Sequence, residues 1–198
     1  MKRKKTSSLA KVCLSSSNKT AFMIQFFLDS DKPLTQKSYN EIINELNISS
    51  LRCSSCGFLG DCTRHSYYKR NIVTDGDGKI PIKVLRVQCG QCNVTHAILP
   101  TSIVPYSQIL LGDHLEIIRL YENGISPHQI KPANPEIDVW SIVYIIKQYL
   151  VHWQQRLKSY KINLCSSLTE LTTSCFKHHN RQFMQIKRTP NSLFIPPT

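Results

Sequence analysis

The sequence is poor in acids: 13 Asp and Glu stand against 25 Lys and Arg in 198 residues, a formal charge of +12. Such an imbalance favours a polyanionic partner, nucleic acid first. Glycine is scarce, with 7 residues, which excludes a collagen-like chain. No sustained heptad pattern supports a coiled-coil protein, and no apolar run approaches the ~20 residues a membrane span needs. There is no internal repeat of useful length. Beyond Asp138 a single acid remains, Glu170. A nuclease core that holds two metal ions on three separated carboxylates therefore has no place there.

No cleavable leader is expected. Lys2 to Lys5 imitate a basic start, but Ser, Asn and Lys fill residues 15–20. The apolar stretch Ala21 to Leu28 carries Gln25, and no small-residue cleavage pattern follows. The expected compartment is the cytoplasm, with no membrane partner. Thiols stay reduced there, so paired cysteines more often hold metal than form disulfides.

What is present suits one domain or two small ones with a modest core, since 41% of residues are hydrophobic. The charge is unevenly placed. Residues 1–28 carry six cations and no acid, residues 29–149 balance twelve of each, and residues 150–198 carry seven cations and Glu170. The pattern divides the chain into a basic arm (1–28), a ribbon region (29–106), a helical region (107–158) and a basic, weakly patterned tail (159–198).

Within the arm, Phe22 to Leu28 reads as a buried strand or helical turn. Thr35 reads as the N-cap of a helix to about Leu46, with Tyr39, Ile42, Ile43 and Leu46 on one face. Residues 66–88 read as a hairpin about the turn Asp75-Gly76-Asp77-Gly78. Its alternation slips at Leu85, which marks a bulge there, and Pro81 indicates an edge.

Two C-x2-C pairs, Cys53-Ser-Ser-Cys56 and Cys89-Gly-Gln-Cys92, bracket that hairpin with 32 residues between them. Four thiolates from two tight loops suit a structural Zn²⁺, with no open position for catalysis. Gly57 is expected to relieve crowding behind the second sulfur. Redox-active or disulfide pairs lack the setting they need. Cys62 is read as a free thiol rather than a substitute ligand, and His65 and His96 as surface or metal-supporting side chains. Cys165, Cys175, His178 and His179 are too irregularly spaced for a second site.

The helical region has three segments. Leu111, Leu115 and Ile118 line a helix ended by Asn123-Gly124. Ser126-Pro127 starts a very short second helix, and a third runs from about Pro135 to Lys158. Val139, Val143, Ile146, Leu150, Trp153 and Leu157 form its expected seam. This is the layout of a helix-turn-helix, with Asp138, Ser141, Tyr144, Lys147 and Gln148 as candidate DNA contacts. Lys69, Arg70, Lys83 and Arg86 are the candidate phosphate contacts on the hairpin. The fold class expected is α+β: a four-cysteine ribbon flanked by an N-terminal helix and followed by helix-turn-helix-like helices.

Gly124-Ile-Ser-Pro-His-Gln-Ile130 and Ser141-Ile-Val-Tyr-Ile-Ile-Lys147 resemble the starts of the two helix-turn-helix helices in recombinases and insertion-sequence transposases. In that pattern Val143 is core, and Ile145 stands where Arg is frequent. The cysteine pairs, with Tyr68-Lys-Arg70, Val84-Leu-Arg-Val87, Thr95-His-Ala-Ile-Leu-Pro100 and Val104-Pro-Tyr106, resemble small bacterial zinc-ribbon proteins of unknown function. Those are similar to the DNA-binding heads of insertion-sequence transposases. Over residues 30–155 the resemblance implies Cys53, Cys56, Cys89 and Cys92 as ligands, and DNA binding by an accessory or regulator of a mobile element, without catalysis. The alternative is a protein-interaction adaptor that docks on a partner such as a transposase through its ribbon and apolar third helix.

Overall fold

The computed structural model describes residues 22–27, 33–74, 78–186 and 192–195. Most of the basic arm and the residues Asp75 to Asp77 of the hairpin turn lie outside them. Five strands, β1 (Phe22–Phe26), β2 (Cys62–Thr74), β3 (Gly78–Cys89), β4 (Thr95–Pro100) and β5 (Ser192–Ile195), form one sheet in the order β2-β3-β4-β1-β5. The hairpin pairs Cys62 with Cys89 at its base and Thr74 with Gly78 at its far end. β4 runs antiparallel to β3 over Arg86–Gln88 only, and β1 lies parallel to both β4 and β5. Parallel strands covered on both faces read as continuous apolar runs. Accordingly Met23, Ile24 and Phe26 are all buried, and the segment is a strand, not a helical turn. Gln25 is buried among them because its Nε2 donates to Gln182 Oε1 at 2.7 Å.

Because β4 covers so little of β3, the rest of that edge would expose unpaired backbone groups. The helix α1 (Gln36–Glu45) closes it with side chains. Thr35 caps the helix in a reciprocal box with Ser38. Gln36 presents its amide like a strand: Lys83 N–H donates to Oε1 at 2.7 Å, and Nε2 donates to Lys83 C=O at 3.3 Å. Further along, Leu85 N–H donates to the Tyr39 hydroxyl at 2.9 Å, and that hydroxyl donates to Ile98 C=O at 3.0 Å. Residues 83 and 85 thus point their N–H groups away from β2. Pro81 shares their parity, so its missing donor falls on the open edge, as its sequence position implies.

The bulge sits elsewhere than expected. The register shifts between Arg64 and Ser66, so His65 on β2 is the extra residue, opposite Arg86 and Val87. The slip at Leu85 has another cause: Val84 and Leu85 are both buried, with α1 covering the face on which Leu85 stands.

A second core lies among helices. α2 (Leu111–Glu122), α3 (Pro127–Ile130) and α4 (Val139–His152) pack on one another, followed by α5 (Gln154–Ser159) and α6 (Leu168–His179). The third helix predicted to Lys158 is broken at Trp153. Its buried face is also rotated from the expected seam. Ile142, Ile145, Ile146, Tyr149 and Trp153 are buried, whereas Val143 and Leu150 are exposed. Ile146, Trp153 and Leu157 of the seam are buried as expected, and burying Ile142, Ile145 and Tyr149 beside them removes more apolar surface than burying Val143 and Leu150 would. The tail is patterned as well, contrary to expectation: Ser167 caps α6, whose Leu171, Cys175 and Phe176 are buried, as are Phe183 and Met184 beyond it. No helix among the described residues is long and apolar enough to cross a membrane.

Tyr39→Phe should cost about 1–3 kcal/mol in denaturant unfolding, because Leu85 N–H and Ile98 C=O would both lose their buried partner. His114 supplies a pH test. Burial pulls its imidazole down to about 3 from 6.5. Below pH 6.5 the unfolded chain binds a proton that the folded one refuses. Its contribution is therefore intact above 6.5 and declines as the pH falls toward 3. Between about pH 7 and 5, unfolding midpoints of the wild type should fall more steeply than those of His114→Gln.

Candidate metal centre

Both cysteine loops are built alike. Gly57 N–H donates to Cys53 C=O at 3.0 Å, and Asn93 N–H donates to Cys89 C=O at 2.9 Å. Each closing residue follows its C-x2-C pair directly and has positive φ, 76° for Gly57 and 58° for Asn93. Glycine and asparagine are the residues that tolerate that conformation. Gly57 thus serves the turn; a Cβ there would meet nothing within 4 Å, so the expected crowding is absent. Gly90 is the residue that steric contact demands. A Cβ on it would press on the Asp61 carboxylate, which would have to shift, beside the bond from Gly90 N–H to Asp61 C=O.

The loops bring Cys53, Cys56, Cys89 and Cys92 together at the base of the hairpin, with all four sulfurs within 4.8 Å of one another. Cys53 and Cys92 are 3.6 Å apart, and Cys56 and Cys89 3.8 Å. A tetrahedron of sulfurs about 2.3 Å from a metal has edges near 3.8 Å, so the four residues fit a metal ion. The backbone N–H groups of Ser55 and Cys56 point at Cys53 Sγ, at 3.3 and 3.4 Å. Burial pushes the Cys53 thiol up to about 12 and also raises Cys92, while the Phe58 N–H lowers the exposed Cys56. A bound cation would favour thiolates throughout the cluster.

The flanking side chains separate cleanly. His96 is fully buried, with Nε2 3.2 Å from Cys53 Sγ and Nδ1 3.1 Å from Ser54 Oγ. It supports the cluster, and its place among the inward residues of β4 is the sequence signal for that role. His65 is exposed beside Ser66 Oγ. Cys62 is buried but directs its sulfur to Leu51 C=O, outside the cluster. Among the described residues no other group of cysteines, histidines or acids converges in this way.

The candidate nucleic-acid residues fall in two groups, one on the hairpin and one on α4. Lys69, Lys83 and Arg86 are exposed on the hairpin, with Arg86 over the Tyr68 ring at 4.6 Å. Arg70 is instead turned inward. Its Nη2 donates to Val104 C=O at 2.6 Å and to Ser107 C=O at 2.5 Å, tying β2 to the loop before α2. On α4, Tyr144 and Lys147 are exposed. Ser141 is taken up by Asp138, the N-cap, through N–H and hydroxyl at 2.8 and 2.7 Å. Ser141, Tyr144 and Gln148 line a cavity of about 470 Å³ that also holds Tyr106 and Glu136.

Residues 53–140 match a protein family described as a domain of unknown function (DUF6431). The match runs from the first cysteine of the cluster to the first turn of α4 and so takes in both loops, the hairpin and the first two helices of the helical region. No curated protein and no solved structure matches the chain.

Metal analysis of purified protein should give about one divalent ion per chain. Cys53→Ser or Cys89→Ser should abolish that binding, and Cys62→Ser should retain it. Removal of the ion by a chelator should reduce β-sheet circular dichroism, because the two loops close the hairpin base.

Proposed function

We propose that the protein is a nucleic-acid-binding protein, DNA first, whose ribbon is folded by structural zinc. Four soft thiolates with tetrahedral edges are the donor set that selects Zn²⁺, and they leave no open position for chemistry. The observation that carries the reading is the charge of the two hairpin strands. β2 and β3 contain Arg64, Lys69, Arg70, Lys79, Lys83 and Arg86 and no carboxylate at all. Arg70 and Arg64 are engaged internally, and Lys69, Lys79, Lys83 and Arg86 remain for phosphates.

The packing of α2, α3 and α4 is compatible with a helix-turn-helix, with Tyr144 and Lys147 on the outer side of α4. The resemblance to transposase heads supports an accessory or regulatory role for a mobile element. The second reading, an adaptor, is favoured by that same face of α4. Trp140, Val143, Tyr144, Leu150 and Val151 are exposed there, with Trp140 at 78%. Apolar patches of this kind mark protein contacts.

Anisotropy titrations of labelled duplex and single-stranded DNA across a salt series test the choice. The zinc-loaded wild type should bind, with affinity that falls steeply with salt. Lys69→Glu/Lys83→Glu/Arg86→Glu should reduce the log–log salt slope by about 0.7–0.9 for each phosphate no longer neutralised. No salt-dependent binding to either form would reject the reading. Partner capture that survives this triple change and disappears in Trp140→Ala/Val151→Ala would favour the adaptor.

A further inference from the structure

We infer that the groove between α1 and the hairpin binds an unpaired nucleotide of a single strand, an inference that rests on the polyanion reading above. The groove encloses about 860 Å³, and no carboxylate lines it. Its floor holds an electrostatic conflict. Lys69 and Lys83 are direct partners across the antiparallel pair, both exposed. Like charges placed opposite each other destabilise a sheet. Neither ammonium group has a hydrogen bond or ion pair among the described residues. An anion seated between them removes the repulsion, and a phosphate supplies it.

Tyr67 lies two positions along β2 from Lys69, on the same face of the sheet and about 7 Å away along the strand. That spacing is comparable to the reach from a phosphate to the base of one nucleotide. Tyr67 is 53% exposed, so its ring is open to a ligand. It is nevertheless held: Arg64 Nη1 donates to its hydroxyl at 3.4 Å, and Arg64 Nη2 is anchored on Ile43 C=O of α1 at 3.1 Å. A fixed, solvent-facing aromatic ring beside a cation pair is a stacking platform for a base.

The opposite wall supplies groups to read the base. Gln36, Asn40 and Asn44 recur at four-residue steps along one side of α1. Gln36 is taken up by the Lys83 backbone and by Asn40 Oδ1, to which it donates at 2.8 Å. That leaves the Asn40 amino group and the whole Asn44 amide for a ligand. Side-chain amides pair with the edges of unstacked bases. In a duplex the bases are stacked and cannot lay a face on Tyr67, so the site selects a single strand, a loop or a melted end.

The test uses the full-length, metal-loaded protein with a labelled 20-nucleotide single strand and a duplex hairpin of matched length, read by anisotropy. Tyr67→Ala should weaken single-strand binding about tenfold and leave duplex binding unchanged. Lys69→Ala/Lys83→Ala should weaken single-strand binding and flatten its salt slope by about 0.7. The double variant should also hold or raise the denaturant midpoint, since it removes the like-charge pair, so unfolding cannot account for weaker binding. Metal content and circular dichroism confirm the fold of both. Single-strand affinity unchanged in both variants would overturn the inference, with duplex binding left to support the broader reading. Equal losses for duplex and single strand in Tyr67→Ala would overturn it too. Binding of a labelled phosphorylated peptide that Tyr67→Ala and Lys69→Ala/Lys83→Ala weaken, without binding of the single strand, would overturn the inference and assign the groove to a different class of ligand. If neither nucleic acid binds at low salt, the polyanion reading fails and takes this inference with it.

Discussion

Four cysteine sulfurs within 4.8 Å of one another are the constraint on which the ribbon depends. As thiols they are weak hydrogen-bonding groups, with Cys53 and Cys89 taken out of water; as bare thiolates they repel. A bound cation would resolve both difficulties, and the cluster stands at the base of the hairpin, where β2 begins and β3 ends. The neighbouring elements are arranged around that anchor. His96 reaches it from β4, Gly90 lets Asp61 close against it, and the hairpin projects away from it with its cations outward.

The hairpin then needs a second support, because most of β3 has no strand on its outer side. α1 supplies it with side chains in place of a backbone. Gln36 and Tyr39 satisfy Lys83 and Leu85 as a sixth strand would, yet they leave room that a strand would have filled. The groove over Tyr67, Lys69 and Lys83 is that room. Structural economy at the sheet edge and a candidate binding site are thus two aspects of the same contact.

Much of this is legible in the sequence, and the reasons are local. Thr35, Ser126 and the cysteine pairs are signals whose meaning depends on a few neighbouring residues, and each leads to the element it implies. The failures share a different origin. Spacing alone puts Val143 in the core, but α4 has two apolar faces, and spacing does not say which is wider or heavier. The face with Ile142, Ile145, Ile146, Tyr149 and Trp153 wins because it buries more surface. Arg70 looks like its neighbour Lys69, yet strand parity turns one inward to Val104 and Ser107 and the other to solvent. The balanced charge of residues 29–149 also conceals two hairpin strands that carry cations alone, because the compensating acids stand in the turn, at Asp75 and Asp77, and on other elements. The groove itself cannot be read, since it requires knowing that α1 packs against an edge far along the chain.

The position of β1 has a bearing on how the chain reaches this state. Its partners are β4 and β5, and in the second pairing Met23 lies beside Ser192, 169 positions away. The ribbon and hairpin close small loops, and ligation of one ion can lock them early. The β1–β5 pairing must instead close nearly the whole chain, and its entropic cost is offset only when everything between is already compact. The β1–β5 end of the sheet is therefore the last part to become favourable, and the hairpin with its cysteine loops is the template on which it assembles.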